Sequence, residues 1–202
     1  MSLGLVRFIG DIHGDFPAIR KITETCKLSV QVGDYGIGFG KDPSFIDENQ
    51  RFIRGNHDDY ERCKAYLAFI DDGTVYPTKY GPMMFIGGAW SIDKSWRTPG
   101  VDWWHTEEVT QEKAYKLLEQ YKALKPAIMV THDMPRDITM SVFGLTQERA
   151  FKNLTNVMLN DMWHEHKPKA WIHGHWHNDY QTAIEGCQFI GLGINSWVDI
   201  EM

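Results

Sequence analysis

Cysteine is scarce in this chain. Its 202 residues include only Cys26, Cys63 and Cys187, which lie far apart and form no C-x-x-C pair. An odd number of well-separated cysteines is typical neither of a disulfide framework nor of a thiolate metal site. We therefore expect reduced thiols and a cytoplasmic protein.

Long apolar runs, repeats and low-complexity linkers are missing as well. No segment approaches the roughly 18–20 apolar residues of a membrane span. The N-terminal stretch MSLGLVRFIGD becomes polar too early for a signal peptide. Without repeats or a linker rich in Pro, Gly or Ser, the length predicts a single domain over residues 1–202. The lack of long apolar runs predicts no membrane association.

Basic charge is limited. The formal net charge is −6, and the Lys and Arg residues form no long run. This argues against a groove for extended nucleic acid. Two bound divalent cations would cancel much of the negative charge, so an anionic substrate remains compatible with the composition.

Apolar runs that stop at a polar residue recur along the chain. Each predicts a buried strand that ends near Gly, Asp, Asn or His. These runs are LVRFIGD (5–11), LSVQVGD (28–34), RFIRGNHD (51–58), AIMVTHD (127–133) and AWIHGHWH (170–177). Two short strands, TVYPTKY and MMFIGGAW, are expected around the turn Gly81-Pro82, and QFIGLGIN supplies a late strand.

Helical periodicity separates these strands. The predicted helices follow Asp15, run from Glu107 to Leu124, and run from Gln147 to Glu165. Alternating strands and helices predict an α/β fold. In such folds, functional groups gather at the carboxyl ends of the strands.

Five of the predicted strand ends carry residues that can bind metal. They supply Asp11, His13, Asp34, Asn56, His57, His132, His175 and His177. Imidazole and carboxylate ligands without thiolate suit Mn, Fe, Zn, Co or Ni better than Ca or Mg. The set exceeds one tetrahedral site, and it fits two ions that share a bridging carboxylate.

The order of these motifs identifies a family resemblance. GDIHGD, VQVGDYG, RGNHDD, THD and GHWH follow one another along the chain. They resemble the blocks D-x-H, G-D-x-x, G-N-H-[DE], a lone His and G-H-x-H of the calcineurin-like metallophosphoesterase superfamily. The likeness extends from Asp11 to His177 and is greatest to the small bacterial and phage branch. It implies a two-sheet β-sandwich flanked by helices.

The resemblance also implies a role for each motif residue. Asp11, His13 and His177 would hold the first metal, Asn56, His132 and His175 would hold the second, and Asp34 would bridge both. Manganese is the first choice of metal. A hydroxide between the metals would attack phosphorus, and His57 would assist the leaving group. Asp58 and Asp59 are candidates for orienting His57.

The second motif departs from the family's protein phosphatases. Ile37 and Gly38 stand where those enzymes have an aspartate that orients the catalytic histidine and an arginine that binds phosphate. A dedicated Ser/Thr protein phosphatase of that type is therefore not expected. Either another arginine binds phosphate or none does; Arg97 is the candidate, with Arg54 and Arg136 as alternatives.

Three functions follow from the resemblance. The first is a phosphatase acting on a phosphorylated small molecule or a phosphopeptide. The second is a phosphodiesterase acting on cyclic nucleotides or nucleic acid, and the third is a catalytically inactive binding scaffold. Trp103 and Trp104, in an irregular stretch, would either line the substrate cleft or pack in the core. The oligomeric state stays open.

The stretch WIHGHWH contains two different kinds of histidine. Gly174 is expected to let the backbone turn next to the metals, so that His175 and His177 bind different ions. His173 is expected to pack behind the site, and Trp176 to form a wall of the cleft.

Overall fold

The computed structural model describes residues 4–40, 42–145 and 153–202. The strands in these residues are β1 (Leu5–Ile9), β2 (Ser29–Gln31), β3 (Gln50–Phe52), β4 (Val75–Thr78), β5 (Gly81–Ile86), β6 (Ile128–Thr131), β7 (Ala170–His173), β8 (Tyr180–Ile184), β9 (Cys187–Gly191) and β10 (Trp197–Glu201). The helices are α1 (Phe16–Thr23), α2 (Tyr60–Cys63), α3 (Gln111–Leu124), α4 (Arg136–Phe143) and α5 (Leu154–Glu165), with a 3₁₀ turn at Lys94–Trp96.

The strands form two sheets. The first has the order β10-β1-β2-β3, with β10 antiparallel to β1 and the other pairs parallel. The second has the order β4-β5-β6-β7-β9-β8, with antiparallel strands at both edges of a parallel centre. This two-sheet α/β arrangement confirms the predicted fold class.

The apolar residues of the parallel strands explain the layering. One buried cluster joins Val6, Phe8 and Val30 of the first sheet to Phe85, Val130 and Ile172 of the second. Parallel strands are usually buried on both faces, which accounts for their unbroken apolar runs. The sheets therefore pack face to face and form the predicted sandwich.

Helices cover the outer faces. A second buried cluster packs residues of α3 and α5, including Tyr121 and Trp163, against Trp171 and Phe189 of the larger sheet. Ile19 of α1 packs with Ile9 and Phe52 on the smaller sheet. Among the described residues, no helix combines the length and apolar character that crossing a membrane requires.

The helix ends follow local signals. Asp15 caps α1 by accepting a hydrogen bond from the Ala18 N–H (3.0 Å), and Pro17 lies in the first turn. Helix α3 begins after its Thr110 cap, four residues later than predicted. Helix α5 begins after Asn153. The earlier part of its predicted range, 147–152, lies outside the described residues.

Candidate metal centre

Four predicted ligands from β1, β2 and the loop after β7 form one cluster. Ligand atoms of Asp11, His13, Asp34 and His177 all lie within 4.8 Å of one another. Asp11 Oδ2 is 3.1 Å from His177 Nε2, and the Nε2 atoms of His13 and His177 are 3.0 Å apart. The tertiary structure thus brings together residues that are separated by up to 166 positions in sequence.

A second group adjoins the first. His132 Nε2, at the end of β6, lies 3.0 Å from Asn56 Oδ1 and 3.3 Å from Asp34 Oδ1. The His132 and His175 rings have centroids 5.0 Å apart. The other oxygen of Asp34, Oδ2, lies 3.8 Å from His13 Nε2. Asp34 therefore lies between the two groups and faces both.

Outer contacts fix the direction in which these side chains point. His132 Nδ1 lies 2.9 Å from the Val32 carbonyl oxygen, so Nδ1 donates to that oxygen and Nε2 is turned toward Asn56 and Asp34. Asn56 Nδ2 donates to Ser91 Oγ (3.0 Å), and Ser91 Oγ donates to Glu107 Oε2 (2.5 Å). Ser91 and Glu107 lie outside the recognised motifs, and no sequence spacing pointed to them.

Backbone conformation marks the same residues. His13, Asp34, His175 and His177 have φ angles of 44°, 58°, 67° and 51°. They are four of the seven non-glycine residues with positive φ in the described chain. Side chains rarely adopt this region, and local strain of this kind concentrates at functional sites.

Two glycines are required by close approach. A Cβ at Gly174 would lie 2.2 Å from Asp11 Oδ1, and one at Gly55 would lie 2.0 Å from Asp34 Oδ1. Gly174 lacks a positive φ. The need for glycine at this position is therefore steric. Gly174 also lets the His175 N–H approach both Asp11 oxygens at 3.2 Å.

Asp58 and Asp59 have structural contacts instead of the predicted contact with His57. Asp58 is buried and accepts hydrogen bonds from the backbone N–H groups of Tyr35, Gly36, Ile37 and Gly55. Burial raises its pKa to about 6. Asp59 caps α2 by accepting from the N–H groups of Glu61 and Arg62. Asp58 thus shapes the loop that carries Asp34.

Arg97 is the side chain beside His57. Its Nη1 lies 2.9 Å from His57 Nδ1, and its Nη2 lies 3.1 Å from His57 Nε2. Two 2.7 Å bonds to Asp93 hold the guanidinium, and Nη1 also donates to the Asp102 carbonyl (3.0 Å). Burial, with a contribution from Arg97, lowers the pKa of His57.

A cavity of about 400 Å³ opens at the cluster, with His57, Arg97 and Trp176 among its lining residues.

Four other residues that the sequence suggested for substrate binding have different positions. Arg54 is buried; it donates to the carbonyls of Thr106 and Glu107 and pairs with Asp72. Trp104 is buried against Phe39. Trp103 lies under Lys94, and Arg136 lies 3.7 Å from Asp137. None of these four expected candidates lines the cavity.

The histidines before and after Gly174 have different surroundings. His173 is buried, with Nε2 lying 2.6 Å from the Tyr180 hydroxyl and Nδ1 lying 2.9 Å from the Gly174 carbonyl. Burial lowers its pKa to about 4. His175 and His177 face the cavity, and Trp176 lines it.

Comparisons with solved structures describe the fold. A Staphylococcus aureus protein with a provisional 5'-nucleotidase assignment has a TM-score of 0.55 and 13% identity, covering 96% of this chain and 50% of that one. GAP50, an anchor in the inner membrane complex of Plasmodium, has a TM-score of 0.52 and 15% identity, covering 96% of this chain and 73% of that one. A Streptococcus pneumoniae protein described as a predicted phosphoesterase has a TM-score of 0.49 and 13% identity, covering 98% of this chain and 83% of that one, and this likeness is too weak to support a conclusion.

Sequence comparison is more specific than these structural matches. No curated protein matches the sequence significantly. The family model for the calcineurin-like phosphoesterases matches residues 5–179, which include every motif of the candidate metal centre. The chain belongs to the calcineurin-like phosphoesterase family.

Proposed function

We propose that the protein is a phosphatase that hydrolyses phosphate monoesters with the help of two divalent cations. The observation that carries this proposal is the convergence of nitrogen and oxygen atoms that can bind metal at Asp34. His132 Nε2 lies 3.0 Å from Asn56 Oδ1 and 3.3 Å from Asp34 Oδ1. Once His132 Nε2 is unprotonated, a cation between these atoms would stabilise their close approach.

The donor set fits the metals that the sequence suggested. Asp11, His13 and His177 would hold one ion, Asn56, His132 and His175 would hold the other, and Asp34 would contact both. When bound, two such ions would activate water and neutralise charge on the phosphoryl oxygens. Mixed nitrogen and oxygen donors favour Mn first, with Fe, Zn, Co or Ni as alternatives.

His57 and Arg97 complete the reaction site in this proposal. Arg97 would bind phosphoryl oxygens, and its contacts to Asp93 leave it fixed at the cavity. Guanidinium N–H groups only donate, so the Arg97 contacts engage an unprotonated nitrogen of His57. When Arg97 binds a phosphate instead, the freed His57 nitrogen would take up a proton from solvent, and the ring would then give this proton to the leaving oxygen.

The proposal also covers the substrate class, the domain organisation and the location of the protein. We place the substrate among phosphorylated small molecules or phosphopeptides and treat residues 1–202 as one domain. The half-buried Cys26 and the buried Cys63 and Cys187 are free thiols, which agrees with a cytoplasmic location.

The deciding experiment compares a generic monoester with the matching diester. Protein stripped of metal would be reloaded with Mn, Fe, Zn, Co or Ni, and metal content and hydrolysis would be measured together. We expect close to two ions per chain and faster hydrolysis of the monoester. Full activity without metal would reject the proposal, and faster hydrolysis of the diester would favour a phosphodiesterase.

The inactive-scaffold alternative predicts a different result. It requires metal to bind without hydrolysis of either ester. In an Asp34→Asn variant the loss of the shared carboxylate should lower metal content in both cases, but it should lower turnover only if the wild type is an enzyme.

A further inference from the structure

The cavity beside the metal cluster has an aromatic and apolar wall. Trp90, Ile92 and Trp176 line it together with the cluster residues. Its volume of about 400 Å³ lies in the range of small-molecule sites. Room is therefore available for the part of a substrate that lies beyond its phosphate.

Trp176 is fixed in this wall by three contacts. Its ring stacks on Phe143, with centroids 5.0 Å apart and an angle of 23° between the planes. Its indole N–H donates to Asp133 Oδ1 (2.9 Å). It also lies next to His175, with ring centroids 5.6 Å apart. The wall thus presents a fixed aromatic surface beside the cluster.

The charged groups of the cavity already have partners. Arg97 is the only arginine or lysine among the described lining residues, and it is paired with Asp93. The buried Asp133 accepts from Trp176 and from the Met134 N–H (2.8 Å). Arg97 can bind one phosphate, and the described lining contains no second arginine or lysine that could bind another acidic group.

Two further polar residues of the lining, Thr139 and Asn156, are uncharged and hydrogen-bonded. Thr139 Oγ1 donates to the Pro135 carbonyl (3.2 Å), and Asn156 Nδ2 donates to the Met134 carbonyl (2.7 Å). This part of the lining therefore favours a group recognised by shape and stacking over one recognised by charge.

We propose that the substrate's alcohol carries a flat, uncharged aromatic ring that packs against Trp176. The substrate class is thus phosphate monoesters of arylmethyl alcohols or nucleosides. Polyphosphates and acidic phosphopeptides are excluded. This inference rests on the proposed phosphatase activity and narrows it.

The test uses pairs of esters that break the same kind of bond. Benzyl phosphate and cyclohexylmethyl phosphate are both primary alkyl esters of similar size, but only the first has a flat ring. Adenosine 5'-monophosphate and ribose 5-phosphate differ by the base. The first member of each pair should have a kcat/KM roughly three- to tenfold higher.

Variants assign the preference to Trp176. Trp176→Leu should reduce both ratios to near one, and Trp176→Phe should keep most of the preference because the ring remains. Trp96→Leu is the matched control, because Trp96 is 89% exposed and lies outside the cavity. Equal rates within each pair for the wild type would overturn the inference, as would an equal loss on both members in Trp176→Leu.

A binding measurement separates this inference from the proposed function. Benzylphosphonate and cyclohexylmethylphosphonate resist hydrolysis, so calorimetry on metal-loaded protein compares them without turnover. Tighter binding of benzylphosphonate, lost in Trp176→Leu, supports the aromatic site even if no ester is hydrolysed. Equal binding of the two phosphonates would reject it even if hydrolysis is observed.

Discussion

Asp93 and Arg97 form a two-point ion pair that places the guanidinium against His57. The two bonds from Arg97 to Asp93 are both 2.7 Å long, and Arg97 Nη1 lies 2.9 Å from His57 Nδ1. Asp93 lies four residues before Arg97, at the start of the 3₁₀ turn. The pair thus places an arginine at the cavity, although Gly38 stands where the family's protein phosphatases have their phosphate-binding arginine.

Asp93→Asn should weaken phosphate binding through Arg97. The amide keeps one acceptor but loses the charge and the two-point geometry. We expect KM for a phosphate monoester to rise about three- to tenfold with a smaller change in kcat, and Arg97→Ala to raise KM further. Steady-state kinetics measures both. Glu112→Gln is the control, because it removes an exposed pair with the same spacing on α3; an unchanged KM in Asp93→Asn would contradict the role.

His57→Ala should separate proton transfer from metal binding. His57 lines the cavity but is not among the proposed ligands. Loss of a general acid typically lowers turnover by about 10²- to 10⁴-fold, and metal analysis should still find the wild-type content. His164→Ala is the control, because this exposed histidine pairs only with Asp137 among the described contacts. Metal loss in His57→Ala would point to a structural role instead.

Ser91→Ala should lower metal affinity although it replaces none of the proposed ligands. Ser91 connects Asn56 to Glu107, and removing such an orienting partner typically costs 10- to 100-fold in affinity. Competition with a chromogenic chelator measures the change. Thr78→Val removes another hydrogen-bonded hydroxyl, one that donates to the Gly81 carbonyl at a distant turn, and it should leave metal affinity unchanged. Equal affinity in Ser91→Ala and wild type would show that Asn56 needs no such support.

The ion pair between Arg7 and Asp199 should make stability depend on pH in acid. The hydrogen bond from Arg7 holds the pKa of Asp199 below its usual range. A carboxyl with a lowered folded-state pKa stabilises the fold above its unfolded pKa, and this stabilisation is lost as pH falls through the folded pKa.

Asp199→Asn isolates this effect. We expect the variant to be less stable than the wild type by about 1 kcal/mol at pH 7. The difference should shrink below about pH 4, near the ordinary pKa of Asp. Urea unfolding of both proteins at matched metal concentration measures it, and a difference that does not change with pH would contradict the assignment.

Local sequence signals predicted much of the fold. Strand β1 was expected from a buried apolar run, and α1 from Asp15 followed by Pro17. These features depend on residues that are close in sequence. The strand β10, with its mixed pattern WVDIE, was not predicted, because it is defined by pairing with β1 at the other end of the chain.

The site divides in the same way. The spacing and order of the Asp, Asn and His motifs were sufficient to predict the candidate ligands and the family, because metal chemistry restricts which residue types can serve. The contacts of Asp58, Arg54 and Ser91 were decided by tertiary structure. A buried Asp, Arg or Ser is recognised only by the groups that surround it, and here those groups come from distant segments. Sequence thus determined which side chains are present at the strand ends, and packing of the two sheets decided which of them meet.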